Sequence, residues 1–291
     1  MPRSCLVKAD GTVGKTNARQ LIQIDHTRDN SEWMSNELPA LIRSFRYPLH
    51  FIDFETTAMA IPYHAGMRPY EPVAFQWSSH TLEAPAAQPR HAEWINLEDA
   101  FPNFDFAETL MEHLGREGTV FMWAAHENTI LRRILEQMAL RGYGHAELAR
   151  WLGWLVRARG ETAGRLVDMH QICHQHYFHP LMKGRTSIKL VCEAVWRSNP
   201  NLRNDFPEYL KIEEGEIQSP YGALPPLEIN GRTVVVAEGT GAIRAYEAMM
   251  YGMERDNPAI RNRWRDLLRQ YCRLDTLAMV WIWTHWSRAR P

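Results

Sequence analysis

The sequence predicts an α/β fold, and three observations carry that prediction. Strand-like apolar runs alternate with segments of helical period through the first half of the chain. Pro and Gly clusters separate these runs. The composition, 45% hydrophobic and 23% charged over 291 residues, is that of a chain with a buried core, which excludes wholesale disorder. That length fits one large domain or two small ones. Lys and Arg (33) balance Asp and Glu (34) to a net charge of −1, which argues against a broadly basic nucleic-acid coat and leaves a local groove open. Eleven Trp, ten Tyr and ten Phe are a heavy aromatic load, destined for a core or for a stacking surface.

Residues 1–46 read as an N-terminal extension, polar and weakly patterned, with one short amphipathic helix over Ser35 to Phe45. From 47 to 291 the pattern is that of one domain. Strands are expected at His50 to Thr57, Pro72 to Leu82 and Ala92 to Leu97, then a helix over Phe104 to Leu114. Thr119 to Ala125 (TVFMWAA) reads as a continuous apolar strand and His126 to Leu140 as a helix. A further amphipathic helix lies between Ala146 and Gly160, and another is expected over Val167 to Phe178 with Asp168 as its N-cap. Thr186 or Ser187 caps the helix that carries Ile188, Val191, Cys192 and Val195. Residues 198–240 are rich in Pro, Asn and Gly and read as an inserted lid-like segment with a hairpin turning at Asn230-Gly231. Helices over Ala242 to Tyr251 and Pro258 to Arg288 close the chain. The four cysteines are widely spaced, no apolar leader opens the sequence, and the longest apolar run, Leu277 to Trp283, is too short for a bilayer. A soluble, reduced, cytoplasmic protein with no membrane contact is the expectation.

Three carboxylate positions conflict with simple patterning. In HFIDFETT, Asp53 and Glu55 stand two apart in an apolar strand, so both emerge on one face. Such a like-charged pair needs a solvated edge or a neutralising divalent cation. Glu127 follows the strand TVFMWAA, and on a helical wheel Ile130, Leu131, Ile134 and Met138 fall within about 60° of it. A favourable helix dipole accounts for an acid there but not for its inward direction. Asp275 lies within about 80° of Trp264, Leu267, Leu268, Tyr271, Ala278 and Ile282, and so points inward from an apolar face. It must be protonated, paired or metal-bound, and Tyr271, at i−4 on the same face, offers a hydrogen bond. Arg261, Arg265, Arg269 and Arg273 recur every four residues on the opposite, solvated side.

The combination of D-x-E in a first strand, a carboxylate at a strand-to-helix junction and Y-x-x-x-D in a closing helix resembles the DEDD, or DnaQ-like, 3′-to-5′ exonucleases of the ribonuclease-H-like superfamily, in their tyrosine-containing variant. The segments FIDFETTAMAIPYHAGMRPYEPVAFQWSSH, GRTSIK and YCRLDTLAMV more closely resemble a bacterial family of domains of unknown function in that superfamily, over about Tyr47 to Trp286. The resemblance implies a ribonuclease-H-like mixed sheet flanked by helices and metal-dependent hydrolysis at a DNA or RNA end. It implies Asp53, Glu55, Glu127, Tyr271 and Asp275 as catalytic residues, with the four carboxylates holding two Mg²⁺ or Mn²⁺ ions about 4 Å apart. Asp53 would bridge the ions and Tyr271 would orient the attacking water. Glu127 departs from the superfamily's usual Asp, and Asp168 is the reserve for that position. Arg68, Tyr70, Gln76 and Trp77, which follow the first motif, are candidates to line a substrate groove, Tyr70 or Trp77 by stacking on a base. Lys189 in GRTSIK is a candidate phosphate contact. A non-catalytic nucleic-acid-binding or scaffold module of the same fold is the alternative. His170, His174, His176 and His179 form a dense group that lacks the Glu of H-E-x-x-H, which leaves at most a looser zinc site.

Overall fold

The computed structural model describes residues 6, 12–158, 164–224, 226–229, 232–234, 239–253 and 255–288. In chain order the elements begin with α1 (Lys15–Arg28), β1 (Trp33–Met34), α2 (Leu38–Ser44), β2 (Leu49–Thr57), β3 (Val73–Leu82) and β4 (Arg90–Ile95). There follow α3 (Asn103–Leu114), β5 (Thr119–Met122), α4 (His126–Arg141), α5 (Ala146–Leu155), β6 (Leu166–Asp168), α6 (Met169–His176) and β7 (Tyr177–Phe178). The last third holds α7 (Ile188–Ser198), α8 (Pro200–Asp205), β8 (Ile212–Glu213), β9 (Glu216–Ile217), β10 (Leu227–Ile229), β11 (Arg232–Val234), α9 (Gly239–Tyr251) and α10 (Pro258–Ser287). Among these residues no helix is long and apolar enough to cross a membrane. The chain divides into two units, one of residues 45–168 and 224–280, the other of 1–44, 169–223 and 281–291.

The first unit is built on a mixed five-stranded sheet in the order β4-β3-β2-β5-β6. The β2/β3 and β3/β4 pairs are antiparallel, and β2/β5 and β5/β6 are parallel. Central position and cover on both faces explain the near-continuous burial of β2 and β3, polar residues included. Helices α3, α4 and α5 cover one face, where Ile52, Phe54, Trp77, Phe106, Leu131 and Trp151 form a single cluster. On the other face Phe75 stacks on Tyr246 of α9, ring centroids 3.9 Å apart, beside Leu267, Leu268 and Tyr271 of α10. A bulge between Glu55 and Thr56 lets both faces be served: Glu55 opposes Gln76 while Thr56 opposes Ala74, so Phe75 is the extra residue. Ala74 then packs beneath α3–α5 and Phe75 beneath α9 and α10. The turn into β5 depends on Gly118 at φ +75°, where a Cβ would stand 1.9 Å from the Pro48 carbonyl oxygen.

The second unit gathers α1, β1, α2, α6, β7, α7, α8, the β8/β9 hairpin and the last turns of α10. β1 pairs antiparallel with β7. Its core is aromatic, with Trp196 and Trp281 at 4.8 Å between ring centroids and Tyr177 against Trp286 at 5.7 Å. Glu32 accepts from the Tyr177 hydroxyl at 2.7 Å and lies 2.8 Å from His285 Nε2. Much of the aromatic surplus is therefore core.

Several expected elements change. Residues 1–46 contain a helix, α1, that patterning misses, because Leu21, Ile22 and Ile24 leave too narrow an apolar stripe in KTNARQLIQIDHTR. Val167 and Asp168 belong to strand β6, paired in parallel with Phe121 and Met122, and the expected helix is only Met169–His176 before β7. Asp168 thus ends a strand and directly precedes the first residue of that helix. The apolar strand after Thr119 stops at Met122, and α5 stops at Leu155. Ser187 has the extended backbone of an N-cap but makes no side-chain capping bond. The hairpin expected near 230 is present as β10/β11, with Leu227 opposite Val234, although Asn230 and Gly231 themselves lie outside the described residues. On the arginine face of α10 only Arg273 is exposed; Arg269 pairs with Glu93 at 3.0 Å and Arg261 donates to the Leu97 carbonyl.

Candidate metal centre

β2 carries Asp53 and Glu55 on the sheet face that α10 covers. Thr276 of α10 anchors that cover, its Oγ1 lying 3.0 Å from Ser78 Oγ and 2.7 Å from His80 Nδ1. Ser78 is the cross-strand neighbour of Asp53. One turn earlier on α10 comes Cys272, whose thiol donates to Asp53 Oδ2 with Sγ at 3.5 Å. Ligand atoms of Asp53, Glu55 and Cys272 all fall within 4.8 Å of one another. Asp275 and Tyr271 complete the α10 side, joined by a side-chain hydrogen bond in which the phenol is donor. Burial, then Asp275, Glu55 and Asp53, push the Tyr271 hydroxyl far above its ordinary pKa. It is a proton donor here, not a base.

Glu127 enters from the first turn of α4. Its side chain is 2% exposed, and its Oε2 has no hydrogen-bond partner. Burial raises its pKa well above the usual carboxylate range, and the negative charge of Asp53 raises it further, with Asp168 and Asp275 adding to the effect. Asp168 also holds the β5-to-α4 turn, where the N–H of Ala124, at φ +71°, donates to its Oδ1 at 3.1 Å. The structure therefore brings Asp53, Glu55, Glu127, Tyr271 and Asp275 together and adds Asp168 and Cys272. A buried carboxylate oxygen without a donor, facing other carboxylates, is a poor hydrogen-bonding environment and a good one for a cation, so the carboxylate oxygens taken by themselves fit a hard ion such as Mg²⁺ or Mn²⁺.

Beside the cluster opens a groove of about 620 Å³ lined by Thr56, Thr57, Arg68, Tyr70, His126 and Arg133, among others. Tyr70 is 69% exposed and sits at φ +59°, its N–H donating to the Met59 carbonyl at 2.8 Å. The loop is braced by Glu71, which accepts from the Arg68 N–H at 2.8 Å and pairs with Arg141 at 3.2 Å. Against the upward push of burial, these partners hold the Glu71 carboxyl below its usual range. His126, next to Glu127, lies with Nε2 3.2 Å from Thr56 Oγ1, and burial lowers its pKa, which favours the neutral ring.

Not every expected residue is among those that line this groove. Trp77 is buried on the opposite sheet face, its Nε1 donating to Thr109 at 3.0 Å and its ring stacked on His113, so stacking on a base does not fit it. Gln76 is fully buried beneath α10, donating to the Leu268 carbonyl at 3.3 Å, and is absent from the groove lining. Lys189 belongs to the other unit, its Nζ 5.3 Å from the Tyr221 ring centroid. In that unit His170, His176 and His179 have separate hydroxyl neighbours in Thr186, Ser35 and Ser198. Among the described residues the histidines form no metal-ligating group. Cys272, His126 and Arg133 are the components that sequence reasoning missed. The wheel position of Cys272, about 60° from Asp275 on the side away from Tyr271, was the one available signal.

A family model described as "Domain of unknown function (DUF2779)" matches residues 50–187, a little under half of the chain. That stretch carries Asp53, Glu55, Glu127 and Asp168 and ends before Tyr271 and Asp275. Comparisons with curated proteins and with solved structures return no match. The chain is thus similar, over residues 50–187, to a domain of unknown function.

Proposed function

We propose that the protein is a metal-dependent nuclease of ribonuclease-H-like fold that removes nucleotides from the 3′ end of DNA or RNA. The observation that carries this reading is the convergence of Asp53, Glu55, Glu127 and Asp275 around a buried, donorless carboxylate oxygen, with Tyr271 hydrogen-bonded to Asp275. The mixed five-stranded sheet flanked by helices is compatible with the fold that the resemblance implies. Divalent Mg²⁺ or Mn²⁺ ions, when bound, supply the Lewis acidity that activates water and stabilises the leaving oxygen of a phosphodiester. Asp53, Glu55, Glu127 and Asp275 would hold them. Tyr271 keeps its proton, donates it to Asp275 in a hydrogen bond and orients water by accepting at its hydroxyl oxygen. The groove gives the nucleic-acid end a place: Arg68 and Arg133 are positive partners for phosphate, and the exposed ring of Tyr70 offers a stacking face. These two arginines act locally, which reconciles a net charge of −1 with an anionic substrate.

The test is degradation of 5′-labelled single-stranded DNA and RNA with Mg²⁺ or Mn²⁺. The expected result is a ladder shortened from the 3′ end by the wild type and lost with chelator or in Asp53→Ala. Intact substrates in every condition, with wild type and Asp53→Ala alike, would overturn the proposal and leave the binding module as the reading.

A further inference from the structure

Oxygen donors alone do not describe the cluster. The Cys272 sulfur lies 3.5 Å from Asp53 Oδ2 and belongs to the one group of potential metal-ligating side chains found among the described residues. It is fully buried and lies between the two α10 residues, Tyr271 and Asp275, already placed at the site. Two further buried atoms lack partners there: Glu127 Oε2, which faces the charge of Asp53, and Oε1 of Gln76, the cross-strand neighbour of Glu55. Buried polar atoms are normally satisfied, and a cation held beside this three-residue ligand group would satisfy these oxygens. A thiol in that position changes which cation is favoured. Thiolate is a soft ligand and selects Zn²⁺, Co²⁺ or Cd²⁺ over Mg²⁺, while the carboxylates keep the site open to Mn²⁺.

We propose that Cys272 is a thiolate ligand of the cation held by Asp53 and Glu55, which makes this a mixed oxygen and sulfur site selective for borderline divalent ions over Mg²⁺. The inference rests on the reading of the carboxylate cluster as a cation site. On binding, the Cys272 S–H bond breaks, a sulfur–metal bond forms and the proton leaves to solvent; no electron is transferred.

Co²⁺ titrated into the full-length protein under reducing conditions tests this directly. The wild type should show visible ligand-field bands together with a near-ultraviolet sulfur-to-cobalt charge-transfer band. Cys272→Ser should lose the charge-transfer band, keep the visible bands and bind Co²⁺ about tenfold more weakly, while Cys173→Ser, in the other unit, should match the wild type. X-ray absorption of the Zn²⁺-loaded wild type, which needs no variant to fold, should find one sulfur at about 2.3 Å. Ligand-field bands without charge transfer, a charge-transfer band that survives Cys272→Ser, or a zinc shell of oxygen and nitrogen alone would overturn the cysteine ligand and leave the carboxylate site standing. No bound Co²⁺ or Zn²⁺ in the wild type, together with no Mn²⁺-dependent rise in melting temperature, would overturn both.

Discussion

Glu127 is the residue at which stability and the proposed chemistry oppose each other. It is buried among like charges, and its folded-state pKa lies above that of the unfolded chain. With that sign, its contribution to stability is fully present below the unfolded pKa of about 4.5 and is lost as pH rises through the folded value. Near neutrality the group therefore destabilises the metal-free protein, and Glu127→Gln, nearly isosteric and never charged, should raise metal-free stability by about 1–3 kcal/mol in urea denaturation. The same variant should lose most of the Mn²⁺-induced rise in melting temperature. A variant no more stable than wild type without metal would contradict this account. The inward direction of Glu127 and Asp275 was legible from the sequence, because each interrupts an apolar stripe. Trp77 was not, because strand alternation leaves two faces equally available, and it is the pairing of Trp77 with Phe54 and of Ser78 with Asp53 that turns Trp77 to the other face.

Among the elements, β5 and its two turns do the most to position the cluster. Its entry is fixed by Gly118 and its exit leads through Ala124, tethered to Asp168, into the first turn of α4 and Glu127. Gly118→Ala forces a Cβ against the Pro48 carbonyl at a backbone angle that L-residues rarely adopt, and should destabilise the protein by about 3 kcal/mol or more in urea denaturation. An effect within about 0.5 kcal/mol would show that this turn is pliant. Long elements were readable: β2, β3, α3, α4 and α10 follow from apolar runs or helical period. Short ones were not. The three-residue β6 has no period of its own and is a strand only because β5 lies beside it, so local pattern extended the following helix over it. Helix α1 carries too few apolar residues to declare a face, and its stability comes from packing that no local window contains.

At the scale of the whole molecule, histidines set the acid limit. His50 and His80 are both nearly fully buried, and burial is the main cause that lowers them to about 4 and about 2. The unfolded chain takes up protons near pH 6.5 and the folded chain does not, so this stability is complete above pH 6.5 and falls as pH drops toward 4, by about 1.4 kcal/mol per pH unit for each histidine. Urea midpoints from pH 7.5 to 5 should decline, and His50→Gln should flatten the decline; an unchanged slope would remove His50 from the account. Both units are stitched from segments far apart in the chain, and α10 contributes to each of them. Synthesis therefore delivers Asp53, Glu55 and Glu127 to the ribosome exit long before Tyr271, Cys272 and Asp275. A nascent chain holds three of the four cluster carboxylates and an uncovered sheet face that α10 will later close, so the cluster cannot be completed on an unfinished polypeptide. The interval before α10 emerges is also when that bare face is most open to a chaperone or to another nascent chain.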